Sequence, residues 1–381
     1  MARTDPRLPV QGALLAGVVD LSVVSELSGR VRTLPVALYD GSVVNLKKLR
    51  GRLLFSLLLG VLVFAGLSFY ADFRDLGRSL SDFNWALLPL ILVLTTMNYA
   101  FRFVKWEYYL RLIGVRGLSK RASFLIFFSG LGMVITPGKV GEWLKSYLLR
   151  EVHGTPIARS APILIAERLT DSIALLIIAA AGVFVFGNLW PVFVVVALGA
   201  VLLVAVVRHR PTAMALLRLG GRIPLVRRFV PQMEEFYEAA RVLLSPRAVI
   251  AMGTLSAISW FFEVLGFYFT LVGLGQDASG TLLLHAAFIL PIATLASAIL
   301  LTPGGLGVAE ASIQGLSEGL LDMSRSGAAV GTLIIRFGTL WFGVIVGLIA
   351  FAVLSRRLSL PDELEPTPEM AAGDSLPDAP P

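Results

Sequence analysis

Two short segments of this sequence break otherwise apolar stretches, and each carries charge at the break. Thr136-Pro137-Gly138-Lys139-Val140-Gly141 is followed by Glu142 and Lys145, and Thr302-Pro303-Gly304-Gly305-Leu306-Gly307 is followed by Glu310. Proline and glycine end a helix. A helix that resumes after them aims unpaired N–H groups and the positive end of its dipole at the gap. The chemistry open to such an end is anion binding, and Lys139 would add a full positive charge to the first. The plain alternative is a tight loop between two short helices. Because the segment occurs twice, a pocket for a phosphate or similar headgroup is the favoured reading.

Other charged residues extend these sites. Lys139, Glu142 and Lys145 are three apart and share one stripe of a helix, which is either pocket lining or the wet face of a surface helix. Glu167 and Asp171 fall on one face, with Arg168 beside Glu167, at the head of a run that carries no charge from Ser172 to Val207. Ionisable groups in a span are costly, so they pair or face a cavity. Here they either line a pocket or form a network with Lys139 or Lys145. Arg336 stands alone in its apolar surroundings, with Glu310 and Glu263 as candidate partners and a snorkel to the interface as the alternative. Its planar guanidinium suits phosphate oxygens. Arg102, near Trp106, Tyr108 and Tyr109, reads as an interfacial anchor.

Much chemistry is not expected. Cysteine is absent, and His153, His209 and His285 share no ligand spacing, so neither metal nor cofactor is expected. The sequence holds no nucleotide-binding P-loop and no nucleophile elbow. It reads as a non-enzyme that does not draw on ATP.

The elements that position these residues are set by composition. Hydrophobic residues make up 56% of the 381 and charged ones 15%, against about 45–50% and about 25% in soluble domains. Apolar runs at Leu53–Tyr70, Trp85–Val104, Ile163–Phe186, Pro191–Val207, Val249–Val272 and Val330–Leu354 approach or exceed the length of a spanning helix, roughly 20 residues. They are continuous and not alternating, so an all-α polytopic membrane protein is predicted. The net charge of +7 lies in short loops beside the spans, which points to cytoplasmic loops and not to nucleic acid. Residues 1–52 read as a cytoplasmic N-terminal region, 53–354 as the membrane domain, and the acidic, Pro-rich 355–381 as a disordered cytoplasmic tail.

A duplication organises the membrane domain. The two Thr-Pro-Gly segments are offset by 302 − 136 = 166 residues, and Glu142 and Arg168 match Glu310 and Arg336 at an offset of 168. Basic loops at Lys47–Arg52, Arg102–Arg121, Arg208–Arg228 and Arg356-Arg357 fix the sides. Ala122–Ile135 is then too short to cross and should turn back as a re-entrant hairpin. Leu283–Leu320 should enter likewise from the other face. The expectation is about six full spans plus two re-entrant hairpins, arranged as an inverted repeat of about 85–187 and 248–354. Both termini are placed in the cytoplasm and the chain in the inner (plasma) membrane.

These same segments, with the Ala166-Glu167-Arg168-Leu169-Thr170-Asp171 run, resemble the flippase-like membrane domain family, also known as the lysylphosphatidylglycerol synthetase transmembrane region. The resemblance covers about Leu53 to Leu354. It implies that Thr136, Pro137, Gly138, Lys139, Gly141, Glu142, Glu167, Arg168, Asp171, Thr302, Pro303, Gly304, Gly305, Gly307, Glu310 and Arg336 belong to the family's motifs. It also implies membrane lipids as partners, either phospholipid or polyprenyl-phosphate-linked. No soluble aminoacyl-transferase domain is read here, so lipid synthesis is not implied. Translocation of an anionic lipid, with the acids steadying the cations or binding protons, is the first expectation. Presentation of a lipid to a separate glycosyl- or aminoacyl-transferase is the second.

Overall fold

Every regular element among the described residues is helical. The structure is a computed structural model that describes residues 73–134, 143–186, 230–300 and 303–358, with isolated positions between 194 and 209. These residues belong to one unit, 50–381, which is distinct from residues 1–49. Leu53–Tyr70 and the disordered tail lie outside the described residues, as does almost all of Pro191–Val207.

The helices are α1 (Phe73–Asp82), α2 (Leu88–Leu112), α3 (Lys120–Gly132), α4 (Leu144–His153), α5 (Ile157–Ser160), α6 (Pro162–Phe186), α7 (Val230–Leu243), α8 (Pro246–Gly273), α9 (Gly280–Ile299), α10 (Val308–Leu321), α11 (Arg325–Arg336) and α12 (Phe342–Leu358). Local chemistry sets several starts. The hydroxyls of Ser119, Ser279 and Ser324 accept from the N–H groups of Ala122, Leu282 and Gly327 at the heads of α3, α9 and α11, each satisfying a donor that a helix start leaves unpaired. Pro246 opens α8, where its missing N–H costs nothing.

Four helical stretches are long and apolar enough to cross a membrane by length and composition: Trp85–Leu112, Pro246–Gly273, Gly280–Ile299 and Arg325–Arg356. Ile177, Ile250 and Ile349 are each at least 60% exposed, as helices facing hydrocarbon require. The two hairpins are not alike. With 13 residues, α3 spans about 20 Å, whereas α9 with 20 residues spans about 30 Å and has crossing length. The short entering helix expected at Ala122–Ile135 is matched by α3, whereas the segment expected to enter as a hairpin at Leu283–Leu320 begins with a helix long enough to cross.

The duplication is visible in the packing. Helices α2 and α8 lie antiparallel along their whole length. The N–H of Asn84 bonds the carbonyl of Gly273, Ile91 lies against Gly266, Asn98 bonds Ser259, and Lys105 bonds Ser256. At the centre of the crossing the contacts are reciprocal. Asn98 Nδ2 donates to the Ser259 carbonyl at 2.9 Å, and Ser259 Oγ donates to the Asn98 carbonyl at 3.0 Å. Phe101 stacks on Phe262 at the same offset, 262 − 101 = 161 = 259 − 98. Such reciprocal contacts at the centre of an antiparallel crossing are what a two-fold relation between the two helices would give. The hairpins obey it too: α3 packs on α12 and α9 on α6, so each hairpin's entering helix lies against the other repeat's closing helix.

The contact between α3 and α12 is made by glycine. A Cβ on Gly132 would stand 2.9 Å from the backbone of Gly347, and one on Gly347 would meet the Gly132 backbone closer still. Small residues that admit close backbone approach are how helices associate without a hydrophobic drive between them. Gly347→Ala is therefore expected to destabilise the protein by about 1–3 kcal/mol through overpacking. Gly253→Ala in α8, where nothing lies within 4 Å of the new Cβ, is expected to be neutral. Thermal melts of the two variants in detergent check the contrast.

Candidate functional site

The first charge cluster is built on α2, α6 and α8. Lys105, only 2% exposed, reaches Asp171 Oδ1 at 2.5 Å, Ser256 Oγ at 2.7 Å and Thr170 Oγ1 at 3.1 Å. Ser256 passes its own proton to Asp171 Oδ1 at 2.9 Å. The other carboxylate oxygen faces Arg102 Nη2 at 3.8 Å. One turn earlier on α6, Glu167 takes the ammonium of Lys145 at 2.5 Å. Lys145 in turn lies over the rings of Trp106 at 5.0 Å and Phe127 at 5.4 Å, a placement in which cation–π attraction replaces lost hydration.

These residues open onto a cleft. Arg102, Lys145, Glu167 and Arg168 line it with Phe127 and Gly130. Its charged lining is Arg102, Lys145 and Arg168 with Glu167, and within it Lys145 pairs with Glu167 while Arg102 faces Asp171. A side chain at Gly130 would collide with the Lys145 stem, so glycine there lets the cation reach the cleft.

The second cluster is the break between α9 and α10. Gly304, Gly305 and Gly307 have φ of 58°, 74° and 84°, left-handed values that cost glycine little and other residues more. Glu310 then folds back: Oε2 accepts the Gly307 N–H at 2.7 Å, capping α10. Its Oε1 takes Arg336 Nε at 2.6 Å, and Arg336 Nη2 donates to the Gly304 carbonyl at 2.6 Å. One guanidinium thus ties the turn, the cap and α11 together. Directly after Arg336 the helix passes through a π turn, Phe337–Trp341, and Tyr99 of α2 donates to the Thr339 carbonyl in it at 2.8 Å. Insertions of this kind recur at functional positions.

Against the sequence reading, the gains and corrections are specific. Lys145, Glu167, Arg168 and Asp171 come together as one cluster, and Gly304, Gly305, Glu310 and Arg336 as another. Thr136, Pro137, Gly138, Lys139, Glu142 and Thr302 lie outside the described residues. Pro303 opens the short turn Pro303–Gly305. Arg336 does not snorkel; it pairs with Glu310 inside the bundle, while Glu263 lies within its electrostatic reach. Arg102 is not an interfacial anchor, because Asp171 draws it inward until its side chain is 19% exposed. Lys105, counted among the loop charges that fix sidedness, is buried. In the second repeat a donor at the resumed helix end is already taken by the protein's own Glu310.

The sequence profile described as the lysylphosphatidylglycerol synthase TM region matches residues 57–347. The chain belongs to this family. Both clusters fall inside the matched lysylphosphatidylglycerol synthase TM region. The chain is similar to the protein named glycosyltransferase AglD of Haloferax volcanii, 24% identical over 353 residues that cover 82% of this chain and 56% of AglD. It therefore spans little more than half of that relative's length. It is also similar to two proteins named UPF0104 membrane protein from Methanothermobacter thermautotrophicus. One is 24% identical over 85% of this chain and 99% of its own length, the other 24% identical over 80% and 96%.

Proposed function

We propose that the chain binds the headgroup of an anionic lipid, phospholipid or polyprenyl phosphate, in the cleft beside Lys145, and carries it between leaflets without covalent chemistry. The observation that carries this reading is the collection of Arg102, Lys145 and Arg168 on one cleft within helices of membrane-crossing character. Glu167 and Asp171 hold Lys145 and Arg102 at the cleft, and a headgroup that enters would exchange with these carboxylates for the cations. The tail stays in lipid while the headgroup enters, so the cleft needs room for the polar part alone. The antiparallel α2 and α8 and the exchanged hairpins support an inverted-repeat arrangement; about six spans with both termini cytoplasmic in the plasma membrane complete the reading. Rocking of one repeat against the other would open the cleft to each leaflet in turn.

A second reading is favoured by one observation: the same membrane region makes up part of a longer relative named a glycosyltransferase. On that reading the cleft presents a lipid to a separate transferase and nothing is moved. Lipid analysis tests what both share. Gently purified protein is expected to retain one anionic lipid class, and Lys145→Ala to retain about tenfold less of it, the effect of one charged hydrogen bond of about 1.5 kcal/mol. Equal retention by the variant would remove Lys145 from the site. Leaflet exchange of the retained class in reconstituted vesicles then separates carrying from presenting.

A further inference from the structure

A carboxylate that neither cluster uses stands between them. Glu263 lies on α8, 6% exposed, and among the described residues no hydrogen bond or ion pair holds it. Asn98 of α2 bonds Ser259 one turn before it and Phe101 stacks on the adjacent Phe262, so Glu263 lies along the α2–α8 packing, with Tyr99, Arg102, Asp171 and Arg336 within its electrostatic reach. Its neighbours Ser256 and Ser259, at helical spacing on the same face, bond Lys105, Asp171 and Asn98. Among the described residues, the buried polar atoms that lack a hydrogen bond, Thr95 Oγ1, Asn98 Oδ1, Asp171 Oδ2 and Trp260 Nε1, belong to α2, α6 and α8.

The duplication makes Glu263 stand out further. At the offset of 161 that pairs Asn98 with Ser259, Glu263 corresponds to Arg102 (263 − 102 = 161). One turn beyond the Asn98–Ser259 contact, α2 and α8 thus carry opposite charges, Arg102 and Glu263.

We propose that Glu263 is a proton-binding site coupled to the anion cleft: a headgroup that engages Arg102 draws a proton from water onto the Glu263 carboxylate. This rests on the lipid-headgroup reading above. With the cleft empty, the guanidiniums of Arg102 and Arg336, already paired with Asp171 and Glu310, give partial balance to a buried carboxylate that has no hydrogen bond of its own. An anion that engages Arg102 withdraws part of that balance, and an uncompensated buried carboxylate is resolved most cheaply by protonation. One monoanion and one proton enter together, so the loaded cleft gains no net charge. By reciprocity, a proton on Glu263 tightens anion binding.

The test uses the full chain in weakly buffered detergent near pH 7, with short-chain phosphatidylglycerol as probe and a pH dye as readout. The probe's phosphodiester remains a monoanion there, so any proton taken up goes to the protein. Wild type is expected to take up about one proton per lipid bound, with affinity falling by up to about tenfold per pH unit as pH rises. Glu263→Gln is expected to bind without uptake and without that pH dependence, and Glu263→Asp to keep both. Binding with no uptake by wild type, or uptake that persists in Glu263→Gln, overturns the coupling and leaves the cleft intact. Absence of binding at every pH overturns the lipid-headgroup reading and the coupling with it. The wild-type proton count decides the matter even if Glu263→Gln is not recovered from the membrane.

Discussion

Lys105→Met is expected to cost about 3–5 kcal/mol, the penalty for stranding one member of a buried ion pair. The methionine fills much of the lysine's volume, so the loss is electrostatic and not a cavity. Asp171 keeps Ser256, and Arg102 at 3.8 Å can close part of the gap, which places the effect at the low end of the range. Against a total stability of about 5–15 kcal/mol, that shows as a clear fall in melting temperature in detergent. The control is the double variant Lys105→Met with Asp171→Leu, which removes both charges and is expected to recover most of the loss. Equal melting of the single and double variants would show that Asp171 is held by something other than Lys105.

That experiment concerns a residue whose role the sequence hid. The basic residues that follow the Trp85 span were read together as a loop, because charge beside a span signals a cytoplasmic end. The helix instead runs on to Leu112 and takes Arg102 and Lys105 with it. A signal was present in spacing: Thr95, Asn98, Arg102 and Lys105 fall three or four apart, as do Ser256, Ser259 and Glu263 on α8. Each set forms a polar stripe along one face of an apolar helix. Amphipathicity averaged over a span conceals a stripe this narrow, since apolar residues on the other faces dominate.

The breaks were legible for the opposite reason. Proline and successive glycines have few uses inside a span, so the break at Pro303–Gly307 is legible, as is the pairing of Glu310 with Arg336 as one of two options, while the break at Thr136–Gly141 lies outside the described residues. The choice between Glu310 and Glu263 was not open to sequence, because both lie at plausible separations and only the fold sets distance. The length of α9 was also missed. A re-entrant hairpin over Leu283–Leu320 implies a short entering helix, but Pro291 is accommodated inside α9 and the helix continues to Ile299. Lipid-facing helices tolerate such a proline where neighbours satisfy the freed carbonyl. The repeat's mutual packing followed only once the helices were placed, since an exchange of hairpins between repeats leaves no mark on local sequence.

Arg336→Lys is expected to lower leaflet exchange by about ten- to a hundredfold while the protein still folds, a loss of about 1.5–3 kcal/mol from one charged hydrogen bond. The arginine acts through geometry: Nε meets Glu310 and Nη2 meets the Gly304 carbonyl, on two sides of one rigid plane. An ammonium carries the same charge but is a single point, and it cannot span both acceptors with the same reach. Lysine therefore keeps Glu310 neutralised and releases Gly304, so the turn that precedes α10 loosens. Hydrogen exchange reports this directly, with amides from Gly304 to Ala309 expected to exchange faster in the variant and those of α2 and α8 to stay unchanged. Arg336→Ala goes further, since Glu310 is then buried without a cation at a cost of about 3–5 kcal/mol, and its melting temperature should fall as well. Leaflet exchange that is lost in the lysine variant, with protection of the turn unaltered, would mean that Arg336 touches the lipid itself and does not serve only to position the break.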